Sequence, residues 1–123
     1  MNYDEYLLDV AAEECSEIAQ RISKALRFSL GEVQPGQALT NAERIVGELV
    51  DLKAMVEMLE ERGLIDCAPL HDRSLIAAKK AKVEKFSAYS EQLGAMIPRE
   101  LTDRARWHQQ QAAECYRMMG SEP

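Results

Sequence analysis

The sequence contains few histidines and cysteines and no long run of apolar residues, so it lacks the features of several metal-binding, redox and membrane proteins. Its 123 residues include two histidines and three cysteines, with no C-x-x-C pair, so a zinc ribbon or a dithiol redox centre is excluded. The cysteines are odd in number and lie in or beside apolar stretches, which predicts a reducing compartment in which they serve as small hydrophobic residues. No window holds the roughly 18 apolar residues of a membrane span, and acids rather than basic residues precede the first apolar run. We therefore expect no membrane association and a cytoplasmic location.

Positive charge is also scarce. Lys and Arg number 15 against 21 Asp and Glu, which gives a net charge of -6. Nucleic-acid-binding proteins draw most of their affinity from the neutralisation of phosphates by Lys and Arg, so we expect no nucleic-acid partner. A protein of this charge that handles phosphate needs a local device against the repulsion, and a bound divalent cation is such a device.

Helical periodicity is present in four segments, and no segment shows a strand pattern. Apolar residues recur at helical spacing over 3–28, 40–62, 73–93 and about 98–118. The second segment opens with the capping box T-N-A-E, from Thr40 to Glu43, and Gly63 follows its end. The short connection between the first two segments predicts antiparallel neighbours. We predict an all-α antiparallel four-helix bundle in a single domain over residues 1–123, with a flexible tail over about 119–123.

Acidic residues interrupt the apolar stripes of the first two helices. On the first helix, Glu14 falls in the predicted core stripe that runs from Leu7 through Ile18 and Ile22. The second helix repeats the anomaly with Glu48, one turn after Ile45 in a stripe that includes Leu49. An unpaired buried carboxylate is costly, and acids on facing helices cannot neutralise each other. They favour a shared hard cation such as Mg²⁺, with Mn²⁺ as a substitute. The predicted metal ligands are the acids of both helices: Glu13, Glu14, Glu17, Glu48 and Asp51.

Basic and polar residues follow these acids toward the connection between the two helices. Lys24 lies seven residues, or about 10 Å along the helix, beyond Glu17. That separation suits a metal ion and a cation that hold successive parts of one triphosphate. The alternative for each basic residue is a role in solvating its helix, and both interpretations stay open at this stage. Lys79 and Lys82 of the third helix could reach the same site from a neighbouring helix or a second subunit. The predicted substrate-binding set is Lys24, Arg27, Asn41, Arg44, Lys79 and Lys82.

The pattern E-E-x-x-E at residues 13–17, followed by E-x-x-D at residues 48–51, resembles the signature of the all-α nucleoside triphosphate pyrophosphatases. That superfamily includes MazG proteins, dimeric dUTPases and phosphoribosyl-ATP pyrophosphatases. Over about residues 11–62 the chain looks most like the small single-domain MazG-like proteins typical of phages, which implies the host cytoplasm for a phage-encoded chain. The resemblance implies Mg²⁺-dependent hydrolysis of a nucleoside triphosphate to the monophosphate and pyrophosphate, in nucleotide-pool control or housecleaning, by a homodimer or homotetramer. The catalytic residues that it implies are Glu14, Glu17, Glu48 and Asp51.

Two other functions fit parts of the sequence. A di-iron carboxylate bundle also places acids on facing helices, but it needs E-x-x-H pairs, and neither His71 nor His108 lies three residues after a Glu. The stronger alternative is a non-enzymatic helical-bundle interaction or assembly protein, which accounts for the amphipathic helices but not for the acids in their stripes. The irregular fourth helix leaves aromatic and Met residues without an obvious intrachain face, which predicts oligomerisation. These residues are Trp107, Tyr116, Met118 and Met119.

Overall fold

The computed structural model describes residues 1–120, and all regular secondary structure in that range is helical. The four α-helices are α1 (Tyr3–Phe28), α2 (Asn41–Glu61), α3 (Arg73–Gln92) and α4 (Arg99–Met119). The all-α class and the four predicted helices are thereby confirmed, with closely matching bounds. A short 3₁₀ helix, Ala68–His71, lies where the sequence predicts only an irregular connection.

Local hydrogen bonds explain where the first two helices begin and where the second one ends. The Glu43 backbone N–H donates to the Thr40 hydroxyl at 3.1 Å, and the Thr40 N–H donates to the Glu43 carboxylate at 3.3 Å. This is the capping box that T-N-A-E predicts. Asn2 and Glu5 form a second capping box at the start of α1. Gly63 follows the end of α2 with a φ of 72°, a left-handed conformation that glycine adopts without strain.

The chain consists of two compact units, which are described separately: Met1–His71 and Asp72–Pro123. In the first unit, α1 and α2 pack as an antiparallel hairpin, as predicted. Arg62, just after α2, forms an ion pair at 2.6 Å with Asp4 at the start of α1, which defines the open end of the hairpin. At the other end, the loop end, Asn41 donates a hydrogen bond to the carbonyl of Ser29.

The seam, the surface along which α1 and α2 face each other, is packed most tightly at its two ends. At the open end, Leu7 is only 2% exposed and packs with Met55 and Leu59 of α2. At the loop end, Ala25 and Asn41 are buried. No residue of either helix between these two ends is fully buried. The middle of the seam is therefore its least packed part.

The second unit contains α3 and α4, and most of its large apolar residues are exposed. Arg99 at the start of α4 forms an ion pair with Glu84 of α3, and its backbone N–H donates to a Glu91 carboxylate oxygen at 3.1 Å. No residue of either helix is fully buried. The residues that are more than half exposed include Val83, Phe86, Tyr89, Trp107, Tyr116, Met118 and Met119. The predicted exposure of the aromatic and Met residues of α4 is thus confirmed.

Within residues 1–120, no helix is long and apolar enough to cross a bilayer. The predicted flexible tail begins at the last residue of α4, and residues 121–123 lie outside the described range. The flexible tail, the packing of all four helices into one bundle and the single domain over 1–123 stay predictions.

Candidate metal centre

Acids of α1 and α2 meet in the middle of the seam. A seven-residue step returns a helical side chain to nearly the same side of its helix, so Glu14 follows Leu7 into the seam and Glu48 follows Asn41. Glu17 lies one turn beyond Glu14. One carboxylate oxygen from each of Glu14, Glu17 and Glu48 lies within 4.8 Å of the other two, and all three residues are half-buried. We call these residues the three-carboxylate cluster.

Glu14 is the least compensated member of the cluster. Its Oε2 atom is buried and has no hydrogen-bond partner within residues 1–120. Burial is the first cause that raises the pKa of Glu14 above its ordinary value of 4.5, and the negative charges of Asp51, Glu48 and Glu13 raise it further. This position therefore favours a proton or a cation over a bare carboxylate.

Carboxylate oxygens of Glu17 and Glu48 lie within 4.8 Å of each other across the seam. The hydrogen bond that Glu17 shares with Glu48 is the first cause that raises the pKa of Glu17, followed by the charge of Glu48, by burial, and by the charges of Glu14 and Glu13. Two carboxyl groups this close either hold a proton between them or share a cation. A cation relieves their repulsion without the need for protonation.

The other two predicted metal ligands lie at the edge of the cluster. Glu13 and Asp51 are exposed, yet both are close enough for their charges to raise the pKa of Glu14. Magnesium usually keeps several waters and takes only one or two protein carboxylates as direct ligands. The structure thus brings together three of the five predicted acids and leaves the other two at the edge of the cluster.

Arg21 belongs to this centre, although the predicted substrate-binding set does not include it. Its Nε atom lies 3.4 Å from Oε1 of Glu48, and the two side chains are 16% and 18% exposed. Its Nη1 atom is buried without a hydrogen-bond partner in the described part of the chain. Its position in the sequence could have identified it, because Arg21 follows Glu14 by seven residues and therefore lies on the same side of α1.

The cations predicted to bind phosphate have different surroundings. Lys24 is half-buried on α1, while Arg27 is exposed, with its guanidinium carbon 5.3 Å from the ring centre of Phe28. Arg44 is half-buried, and its Nη1 donates to Gln34 Oε1 at 3.0 Å. Two further cations of the predicted set are exposed on α3, in the second unit: Lys79 and Lys82.

Asn41, also predicted to bind substrate, holds the loop between α1 and α2. It is 3% exposed, and its Nδ2 donates to the carbonyl of Ser29 at 2.8 Å and to Glu32 Oε2 at 3.0 Å. Its backbone N–H donates to the Glu32 carbonyl at 3.0 Å. These contacts use both amide hydrogens of its side chain. A contact between Asn41 and substrate stays a prediction.

One face of the hairpin combines acids with cations. Glu17 and Asp51 are each rotated by about 80° from the seam around the axis of their own helix, in the same direction. Because the two helices are antiparallel, both residues therefore lie on the same face of the hairpin. Lys24 and Arg44 lie on this face as well, nearer to the loop end. We call it the acid face. Positive charge therefore lies on the loop side of the acids.

The opposite face of the hairpin is apolar. The sequence assigns Ile22 and Leu49 to the core stripe, but this prediction is wrong, because they are 45% and 47% exposed. A position one residue beyond a seam position is turned by about 100°, and the narrow contact between two helices does not cover it. The residues of this apolar face are Leu8, Ile22, Leu26, Val46 and Leu49.

A cavity of about 450 Å³ lies near the end of α2. Its lining includes Lys53, Val56, Cys67 and His71. A hydrogen bond to Glu60, reinforced by burial, raises the pKa of the Cys67 thiol to about 11. The thiol is therefore protonated at neutral pH and unsuited to act as a nucleophile or a metal ligand. We assign no chemistry to this cavity.

Comparison of the chain with protein-family profiles, with curated protein sequences and with solved structures finds no match in any of the three. The functional interpretation therefore depends on the pattern and geometry of the chain's own residues.

Proposed function

We propose that the chain is a Mg²⁺-dependent nucleoside triphosphate pyrophosphohydrolase, which converts a (d)NTP and water to the (d)NMP and pyrophosphate. The observation that carries the proposal is the three-carboxylate cluster, in which oxygens of Glu14, Glu17 and Glu48 lie within 4.8 Å of one another and a buried Glu14 oxygen lacks a partner. Acids in a seam where apolar side chains pack better need either a proton or a compensating cation. The resemblance to the MazG-like pattern supports the same assignment and suggests nucleotide-pool control or housecleaning.

The cluster suits a hard divalent ion, because carboxylate oxygens are the ligands that Mg²⁺ and Mn²⁺ prefer. Glu14, Glu17 and Glu48 would hold the ion directly, and Glu13 and Asp51 would bind its waters or a second ion. A bound ion stabilises charge on phosphoryl oxygens and lowers the pKa of a coordinated water.

The residues of the acid face have different roles in the proposed reaction. In the proposed reaction a water oxygen bonds to the α-phosphorus, the bond from that phosphorus to its bridging oxygen breaks, and pyrophosphate leaves. A carboxylate oxygen of Glu17 or Asp51 that is not used in coordination orients this water and accepts its proton. Lys24 and Arg44, toward the loop end, hold the departing phosphates. The other residues proposed to contact substrate are Arg27, Asn41, Lys79 and Lys82.

We propose a homodimer or homotetramer as the working unit, in the cytoplasm. The apolar face of the hairpin and the exposed aromatic and Met residues of α3 and α4 support this proposal, because contiguous exposed apolar surface commonly marks association. An antiparallel four-helix bundle, within one chain or between chains, would bury the same surface.

The second candidate is a non-enzymatic interaction or assembly protein. The apolar face favours it, since association alone explains why residues such as Ile22 and Leu49 are exposed. An assembly function does not explain why carboxylates lie in the seam between α1 and α2. For this reason the pyrophosphohydrolase is the better-supported function.

Release of pyrophosphate from a panel of nucleoside triphosphates tests the proposal. The wild type is expected to release pyrophosphate with Mg²⁺ and none with EDTA. Glu17→Ala and Asp51→Ala are expected to abolish turnover without unfolding the protein, because each removes an acid from the metal centre. Glu57→Ala is the matched control, since Glu57 is an exposed acid on α2 outside the acid face, and we expect it to keep full activity.

Two outcomes would overturn the assignment: unchanged turnover in both acid variants, or pyrophosphate release that is independent of divalent ions. Release of orthophosphate in place of pyrophosphate would identify a different phosphohydrolase. A wild-type protein that self-associates but hydrolyses no nucleotide of the panel would support the assembly function.

A further inference from the structure

Arg21 is a cation inside an otherwise acidic centre. Within residues 1–120 it is the one basic residue that forms an ion pair with the three-carboxylate cluster, through its Nε and Oε1 of Glu48 at 3.4 Å. Its guanidinium is mostly shielded from water, and its Nη1 has no hydrogen-bond partner in that range. The side chain is thus held near the acids while the two N–H donors of its Nη1 are unused.

We propose that Arg21 is a displaceable counter-ion: it neutralises Glu48 in the metal-free protein, yields Glu48 to the divalent ion, and then binds a phosphate oxygen of the triphosphate. The inference rests on the proposed function. It goes beyond that function by making one side chain couple the binding of metal to the binding of substrate.

The first step depends on a weak pair that faces a strong competitor. A charge-assisted hydrogen bond between guanidinium and carboxylate is typically about 2.7–2.9 Å long, so the observed 3.4 Å between Arg21 and Glu48 indicates a loose contact. Mg²⁺ carries twice the charge of the guanidinium and approaches a carboxylate oxygen to about 2.0–2.1 Å. Three carboxylates with one Arg keep a negative charge. The cluster therefore attracts a dication even while Arg21 is in place.

The second step depends on the donors that Arg21 leaves unused. A guanidinium presents five N–H donors in a planar fork that matches phosphate oxygens, and a buried donor without a partner is unfavourable. Arg21 lies one turn beyond Glu17 and three residues before Lys24 on α1, in the direction of the loop end. The phosphates of a substrate bound through the metal would extend in the same direction. A phosphate oxygen thus satisfies the donors that the metal-free protein leaves unpaired.

The alternative is a static ion pair between helices, like the pair of Arg62 and Asp4 at the open end. A static pair holds the seam together, so its loss would loosen the site and weaken the binding of metal and of phosphate alike. If Arg21 is a displaceable counter-ion, its removal changes the two affinities in opposite directions. Metal binds more tightly because Glu48 is free, and phosphate binds more weakly because it loses a ligand.

The test uses the full chain, with Mn²⁺ alone and the Mg²⁺ complex of inorganic tripolyphosphate as probes. Paramagnetic resonance of free Mn²⁺ gives the metal affinity, and calorimetry gives the affinity for tripolyphosphate. For Arg21→Gln we expect Mn²⁺ to bind about five- to tenfold more tightly, the lower range of a coupling between two sites. We expect tripolyphosphate to bind about tenfold more weakly, as the loss of hydrogen bonds to a charged group predicts.

Two further variants make the result specific. Arg21→Lys keeps the charge but loses the fork, so Mn²⁺ should bind about as in the wild type while tripolyphosphate binds more weakly. Arg62→Gln removes the comparable ion pair at the open end and is expected to leave both affinities unchanged. Circular dichroism establishes that each variant is folded, and Arg21→Lys serves as the test if Arg21→Gln is not.

The outcomes separate this inference from the function on which it rests. If the wild type binds Mn²⁺ and loses it in Glu17→Ala, but Arg21→Gln binds Mn²⁺ equally or more weakly, the counter-ion role is overturned and the metal centre stands. Unchanged tripolyphosphate affinity in Arg21→Gln or Arg21→Lys also overturns it. No Mn²⁺ binding by the folded wild type removes both the metal centre and the role of Arg21.

Discussion

Replacement of Asn41 by Ala is expected to destabilise the hairpin far more than its small size suggests. The change removes two hydrogen bonds from a residue that is 3% exposed: one to the carbonyl of Ser29 at 2.8 Å and one to the carboxylate of Glu32 at 3.0 Å. A neutral hydrogen bond contributes about 1 kcal/mol, and one to a charged group about 1.5–3 kcal/mol. The free energy of unfolding should therefore fall by about 2–4 kcal/mol, which in a chain of this size corresponds to a Tm lower by roughly 10 °C.

Urea and thermal unfolding followed by circular dichroism measure this loss. Asn2→Ala is the matched control, because Asn2 is an exposed N-cap whose loss costs about 1 kcal/mol. Asn41→Asp is expected to be worse than Asn41→Ala, since it keeps the shape but directs a carboxylate at the acceptors of Ser29 and Glu32. Equal losses from Asn41→Ala and Asn2→Ala would refute the structural role and leave substrate binding as the better account of Asn41.

Two predictions concern pH and assembly. In the metal-free protein the raised pKa of Glu17 means that the folded state keeps a proton which the unfolded chain releases near pH 4.5, so stability should fall as pH rises from there through the raised pKa. Glu17→Gln should flatten this part of the curve of Tm against pH, and an identical curve would contradict the shift. Sedimentation at micromolar concentration should give a dimer or tetramer. Ile22→Glu on the apolar face should favour the monomer, whereas Ser23→Glu, also exposed, should not; a fully active wild-type monomer would sink the oligomer proposal.

Much of the first unit could be predicted from the sequence, because local rules determine it. The capping box of Thr40 and Glu43 and the glycine at Gly63 mark the ends of α2 through contacts within a few residues. The position of Glu14 in the seam follows from helical periodicity alone. These features need no knowledge of how the helices pair.

What could not be predicted depends on contacts between distant residues. The pair of Arg21 and Glu48 joins positions 27 residues apart, and the bonds of Asn41 depend on how the loop folds back. The exposure of Ile22 and Leu49 has a similar cause. Periodicity identifies which side of a helix is apolar, but the width of the contact with its neighbour decides how much of that side is covered. The contact between two helices covers a narrower part of each apolar stripe than the sequence pattern predicts.

The uneven packing of the seam has a mechanical consequence. Buried side chains hold α1 and α2 together at both ends of the hairpin. They are Leu7, Met55 and Leu59 at the open end and Ala25 and Asn41 at the loop end. The acids lie at mid-span, where no fully buried side chain fixes the distance between the helices. A small outward bow of α1 and α2 would change that distance while the contacts at both ends are kept. In the proposed metal centre, such a change would accommodate ion–oxygen distances from about 2.0–2.1 Å for Mg²⁺ to about 2.3–2.6 Å for Ca²⁺, so discrimination between the two ions would depend on their preferred coordination geometry and on the bound substrate.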